Sequence, residues 1–141
     1  MQGSLTVLIV DDEIIIAMAG EAVLAGQGHT PLVATGVEEA MVLAEDAPRL
    51  DAAVVDLQLG TGSGAELIGK LRALWPGLPV VISTGYALNA EERATLNPTG
   101  GRTIVLKKPW GESQLLEAVA QATRAAPPRL SLVRDPNGAP A

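Results

Sequence analysis

The sequence contains no cysteine and no phenylalanine, so no disulfide framework can form, which suits a reducing compartment. Its three aromatic residues, Trp75, Tyr86 and Trp110, leave little for stacking on bases. Basic residues are scarce as well. Ten Lys and Arg stand scattered against sixteen Asp and Glu, for a formal charge of −6 and a pI near 4.7. Affinity for nucleic acid begins with a basic surface, so no nucleic-acid partner is expected. Long apolar runs are also missing. Leu5–Val10 ends in Asp11-Asp12-Glu13 and is too short for a signal peptide, while Met1–Ser4 carries no basic residue. Ile14–Ala19 is far too short to span a bilayer. These absences point to a cytoplasmic protein with no membrane partner.

What is present is one domain's worth of chain, 141 residues of which 48% are hydrophobic, enough for an ordinary core. Five short apolar runs alternate with stretches at helical spacing: Leu5–Val10, Pro31–Ala34, Ala52–Val55, Pro79–Ile82 and Thr103–Leu106. Most lack polar alternation, as strands of a parallel sheet covered by helices do. The first helix is expected over Glu13–Ala25, with Ile15, Met18, Ala22 and Ala25 three or four apart and Gly26 and Gly28 as its stop. The second covers Val37–Glu45, closed by Pro48. The third covers Ala65–Trp75, with a stripe of Ile68, Leu71 and Trp75 broken by Pro76-Gly77. The last is Glu112–Arg124, with Leu115, Leu116, Val119 and Ala122 facing inward. Asn89–Leu96 can make two turns before Asn97-Pro98-Thr99-Gly100-Gly101 forces a loop. The domain is expected to occupy residues 1–126, and the Pro-containing remainder, 127–141, reads as a disordered tail with no output domain after it.

Strict βα alternation implies right-handed crossovers and a doubly wound sheet, whose ligands bind beyond the carboxyl ends of the strands. There the sequence places Asp11 and Asp12, Asp56, Ser83-Thr84-Gly85, and Lys107-Lys108-Pro109. Three carboxylates together repel unless a hard divalent cation such as Mg²⁺ lies between them. That cation would keep Asp56 ionised and nucleophilic and offset charge on a transferring phosphoryl group. Lys108 would pair with one phosphoryl oxygen and the Thr84 hydroxyl with another. Gly85 leaves room and offers its N–H as a third donor. Each residue taken singly has an ordinary role: Asp12 ahead of Glu13 as a helix cap, Asp56 or Thr84-Gly85 in a turn, Lys107-Lys108-Pro109 in a solvated loop. Their joint appearance at the correct strand ends carries the argument.

The segments Val7-Leu8-Ile9-Val10-Asp11-Asp12-Glu13, Val54-Val55-Asp56-Leu57 with Gly64 eight residues on, Pro79-Val80-Val81-Ile82-Ser83-Thr84-Gly85-Tyr86 and Lys108-Pro109-Trp110 are similar to those of the receiver domains of bacterial response regulators. The likeness runs in order over residues 5–110 and on through the final helix. It implies a flavodoxin-like α/β fold: a five-stranded parallel sheet in the order 2-1-3-4-5 with five helices. It further implies Asp56 as phosphoacceptor, Asp12 and Asp56 as direct Mg²⁺ ligands with Asp11 acting mainly through water, and the carbonyl of Gln58 as the third protein ligand. Thr84 and Lys108 match the family's switch hydroxyl and phosphate-sensing lysine, and Lys108-Pro109 matches a peptide that is typically cis. The donor would be a phosphohistidine on a sensor histidine kinase or histidine phosphotransfer protein, and the output a contact with an unnamed protein or a phosphate sink.

Three departures stand out. Leu59-Gly60 replaces the family's frequent Met-Pro and opens Gly60-Thr61-Gly62-Ser63-Gly64, expected to be a more flexible loop. Val105 occupies the usual aromatic switch position, leaving Tyr86 or Trp110 as substitutes. The fourth helix, part of the usual output face, is short. Phosphotransfer chemistry is thus expected intact and the read-out altered, with a receiver-like docking module independent of phosphorylation as the alternative. An aspartate-nucleophile phosphatase is the enzyme rival, but it wants a second acid where Gln58 stands. Gly60–Ala65 also fits a dinucleotide fingerprint, yet it follows the third strand and no acidic residue occurs in 78–90. The only histidine, His29, falls at the opposite sheet edge as a surface loop residue, which leaves no hydrolase triad.

Overall fold

The structure, a computed structural model, describes residues 4–60, 62–96 and 102–124. Its elements in chain order are β1 (Thr6–Val10), α1 (Ile14–Gly26), β2 (Thr30–Ala34), α2 (Val37–Asp46), β3 (Ala52–Asp56), β4 (Gln58–Leu59), β5 (Gly62–Ser63), α3 (Gly64–Leu74), β6 (Val80–Thr84), α4 (Ala90–Leu96), β7 (Thr103–Lys107) and α5 (Glu112–Arg124). Five strands form one sheet, ordered β2-β1-β3-β6-β7, with every pair parallel. Once the short β4–β5 ribbon is set aside, this is the expected 2-1-3-4-5 order. The three central strands are the runs richest in Val, Ile and Ala, and they are buried almost throughout, whereas the edge strands β2 and β7 are partly exposed.

The crossovers lay α2, α3 and α4 over one face of the sheet and α1 and α5 over the other. Leu67, Ile68 and Leu71 of α3 pack with Val10, Val55 and Ile82 on the first face. Leu115, Val119 and Ala122 of α5 pack with Ile9, Val54 and Ala17 on the second, as the sequence pattern predicts for the last helix. Among the described residues no helix is long and apolar enough to cross a membrane.

Several expectations need correction. The stripe Ile15, Met18, Ala22 and Ala25 is the outward face of α1, and the helix is buried instead through Ala17, Gly20 and Leu24. Spacing could not decide between the faces, because α1 holds a single charged residue, Glu21. The stretch after Asp56 is not simply a loop: Gln58–Leu59 pairs antiparallel with Gly62–Ser63. His29 is half-buried, and its Nδ1 accepts the Leu5 N–H at 3.0 Å, tying the start of β1 to the turn before β2. That turn ends α1 in a Schellman motif, with Gly28 N–H bonded to Ala25 O, His29 N–H bonded to Leu24 O, and Gly28 at φ +87°. The expected loop at 97–101, residue Thr61 and the expected tail 127–141 lie outside the described residues.

Two polar arrangements lock the helices in place. Asn89 Oδ1 accepts the Glu92 N–H while Glu92 Oε1 accepts the Asn89 N–H, a reciprocal cap that lets the short α4 form. Arg72, buried on α3, donates Nε–H to Leu78 O, Nη1–H to Leu96 O, and Nη2–H to Arg102 O and Thr103 Oγ1, all at 3.0–3.1 Å. Burial lowers its pKa, but a guanidinium stays cationic and a planar fork of donors suits clustered carbonyls.

Candidate functional site

Parallel strands end together, so the residues after β1, β3, β6 and β7 meet at one sheet edge. Asp11 and Asp56 are buried there and Asp12 is exposed. Each of the three offers an oxygen within 4.8 Å of the others. Backbone amides orient them: Glu13 N–H binds Asp11 Oδ1 at 2.9 Å, Gln58 N–H binds Asp56 Oδ1 at 3.0 Å, and Gly60 N–H binds Asp12 Oδ2 at 3.0 Å. Asp56 therefore has a turn role as well as a place in the cluster. Asp12 is not the cap of α1. Glu13 holds that position without a side-chain hydrogen bond, and Asp12 is turned instead to the β4–β5 ribbon.

Lys108 closes the site. Its Nζ lies 3.0 Å from Asp11 Oδ2, 3.2 Å from Asp56 Oδ2 and 3.7 Å from Glu13 Oε1. Lys107, the neighbouring candidate, is the exposed last residue of β7. Burial works against the Lys108 ammonium, yet the Asp11 and Asp56 carboxylates outweigh it and hold its pKa above the ordinary lysine value. Burial lifts the Asp11 carboxyl above the usual carboxylate range, although the Glu13 amide and Lys108 oppose the shift. The Lys108-Pro109 peptide is cis.

A cleft of about 550 Å³ opens over this edge, lined by Asp12, Asp56, Gln58, Thr84, Gly85 and Lys108 among others. Asp11, Asp12, Asp56, Gln58, Thr84, Gly85 and Lys108 thus meet at this edge, while Lys107 does not join them. Three carboxylates face one ammonium, which leaves net negative charge on a set of hard oxygen donors, so Mg²⁺ fits the site. Asp11, Asp12 and Asp56 would hold it, and Gln58 lies beside them. The Thr84 hydroxyl is engaged elsewhere: Oγ1 accepts the Tyr86 N–H at 3.2 Å and donates to Tyr86 O at 3.3 Å. Val105 is a half-buried residue of β7 packed against the core.

Two contacts escaped the sequence reading. Glu13 reaches Lys108, for which its place right after Asp11-Asp12 was the available signal. Trp110 Nε1 donates to Ser83 Oγ at 3.1 Å, linking the residue beside Thr84 to the α1 side of the sheet, and nothing in the pattern marks that bond.

Comparisons with known proteins agree with this geometry. The family model described as the response regulator receiver domain matches residues 7–120. The sensor kinase CckA of Brucella abortus is 31% identical over 122 residues, which are 86% of this chain and 13% of that protein. The probable transcriptional regulatory protein TcrX of Mycobacterium tuberculosis is 32% identical over 111 residues, 79% of this chain and 46% of that protein. The chain therefore spans less than half the length of either. A CheY-like receiver domain protein from Methanospirillum hungatei superposes with a TM-score of 0.76 at 27% identity, over 88% of this chain and 97% of the other.

Proposed function

The chain belongs to the response regulator receiver domain family, and on that premise we propose that it is a signalling switch set by phosphorylation of Asp56. The observation that carries this reading is the cluster of Asp11, Asp12 and Asp56 oxygens at the carboxyl edge of the sheet, with Lys108 Nζ paired to Asp11 and Asp56 within it. Asp56 Oδ2 is the oxygen that the Gln58 amide leaves free. It attacks the phosphorus of a phosphohistidine in line, forming a P–O bond as the P–N bond breaks and the imidazole leaves with the electron pair. Lys108, already beside Oδ2, stays cationic and pairs with a phosphoryl oxygen as charge builds. Mg²⁺, when bound, supplies charge neutralisation at the three carboxylates. The Gly85 amide offers a further donor. The Thr84 hydroxyl senses the product by leaving Tyr86 for a phosphoryl oxygen. Water later hydrolyses the acyl phosphate and resets the switch.

The donor in this reading is a sensor histidine kinase or histidine phosphotransfer protein in the cytoplasm. The output is a contact with another protein or the draining of phosphoryl groups from a shared pathway. A second reading, docking that ignores phosphorylation, is favoured by Val105, which offers no ring to move. Intact mass after incubation with acetyl phosphate tests both. A Mg²⁺-dependent gain of one phosphoryl group, lost in Asp56→Asn, supports the switch. No gain from acetyl phosphate or from a phosphohistidine donor supports docking alone.

A further inference from the structure

Each carboxylate of the cluster has one oxygen fixed by a backbone amide, but the amides come from different places. Asp11 and Asp56 take theirs from two residues further along the chain, Glu13 and Gln58. Their second oxygens are left facing Lys108. Asp12 takes its amide from Gly60, 48 positions away, at 3.0 Å from Oδ2. Among the described residues its Oδ1 has no hydrogen-bond partner. Asp12 is also the exposed member of the three, and an exposed carboxylate turns among its rotamers unless something holds it.

We propose, on the reading of Asp11, Asp12 and Asp56 as a Mg²⁺ site, that the Gly60 N–H is a positioning group for the ion: by holding Asp12 through Oδ2, the β4–β5 ribbon leaves Oδ1 presented to the metal. Hydrogen bonds that orient a metal ligand are worth about 10–100-fold in affinity. The hold is firm because the ribbon is anchored on its other sides. Leu59, next to Gly60, is buried in the core and pairs with Gly62. Ser63 caps α3, its Oγ accepting the Ala65 and Glu66 amides at 3.1 and 3.4 Å. A Cβ at position 62 would stand 3.0 Å from Val37 Cγ2, so the ribbon also lies tight against the start of α2. A Cβ at position 60 would come 3.3 Å from Asp12 Oδ2, which shows how closely the ribbon approaches that carboxylate. Gly60, Gly62 and Ser63 thereby strap Asp12 to α2 and α3.

The coupling runs in both directions. An ion that fixes Asp12 also fixes the acceptor of the Gly60 amide, so Mg²⁺ tightens the ribbon. Whatever lifts the ribbon from Asp12 loosens Mg²⁺ in return.

Calorimetric Mg²⁺ titration of the full chain compares the wild type with two variants. Gly60→Pro removes the N–H and suits the local backbone, since Leu59 is a strand residue and Gly60 lies outside the positive-φ region. Its Kd is expected to rise about 10–100-fold. Gly60→Ala keeps the donor and crowds Asp12 by only a few tenths of an ångström, so a few-fold loss at most is expected. A loss as large in Gly60→Ala, or none in Gly60→Pro, overturns the proposal. Amide hydrogen exchange at Gly60 in the wild-type protein gives a second measurement that needs no variant. Saturating Mg²⁺ should slow it several-fold. Faster exchange would mean that ion and amide compete for Asp12, and it overturns the proposal equally. A wild-type chain that binds no Mg²⁺ refutes the metal reading itself, whereas binding that ignores Gly60→Pro leaves that reading standing and removes only the role of the amide.

Discussion

Replacing Gly64 by alanine would place a Cβ against the Asp56 carbonyl oxygen, 2.6 Å from Leu57 Cα and 2.9 Å from the Asp56 carbonyl carbon. All three atoms are backbone, so no side chain can swing aside. The restriction is one of room rather than conformation, since Gly64 opens α3 where its N–H binds Leu57 O at 3.0 Å. Over-packing of this kind costs about 1–3 kcal/mol, and more where the backbone must shift. Gly69, five residues on in the same helix, is exposed and would meet nothing within 4 Å. There alanine removes a helix-interior glycine and stabilises by about 0.5–1 kcal/mol. The same substitution on one helix should therefore lower the urea midpoint at 64 and raise it at 69, with unchanged slopes. Gly64→Ala should also weaken Mg²⁺ binding, because the atoms it displaces belong to Asp56 and Leu57, while Gly69→Ala should leave binding alone. A Gly64→Ala protein with a wild-type or higher midpoint would refute the reasoning, since it would mean that the turn after β3 yields freely.

Excess Mg²⁺ should raise thermal stability, by about 2.7 kcal/mol at a hundred times its Kd, and Asp12→Asn should shrink the increment in melts with and without chelator. Lys108→Ala removes a positive charge beside the proposed ion. Metal affinity should then rise about ten-fold by calorimetric titration, since like charges a few ångströms apart repel by on the order of 1 kcal/mol even in water. An unchanged Kd would contradict that placement of Nζ. Arg72→Ala should cost about 3–5 kcal/mol in chemical denaturation, because the Leu78, Leu96 and Arg102 carbonyls lose a buried donor. Arg72→Lys should recover only part of it, and a loss below about 1 kcal/mol would sink the account.

The sheet was legible because β1, β3 and β6 are continuous apolar runs, and a strand buried on both faces needs no alternation to be recognised. The cluster at the strand ends followed from the topology alone, since parallel strands bring Asp11, Asp56 and Lys108 to one edge. The orientation of α1 was not legible. Periodicity identifies a buried face by contrast with a polar one, and Ile14–Gly26 supplies almost no contrast. The ribbon after Asp56 has two residues per strand, below any repeat that a pattern can register. Nothing in the sequence singles out Arg72, because its partners are mostly backbone carbonyls, which have no signature in side-chain identity.

That guanidinium has a consequence for engineering. Leu96 O and Arg102 O are both held by Arg72, so the chain leaves α4 and re-enters the sheet at β7 through one clasp. The two ends are fixed together whatever sequence joins them. The entropy of closing a longer connection grows only logarithmically, about 0.6 kcal/mol per doubling of length. An affinity tag or a reporter peptide inserted between these positions should be accepted at small cost, far from the Asp56 edge.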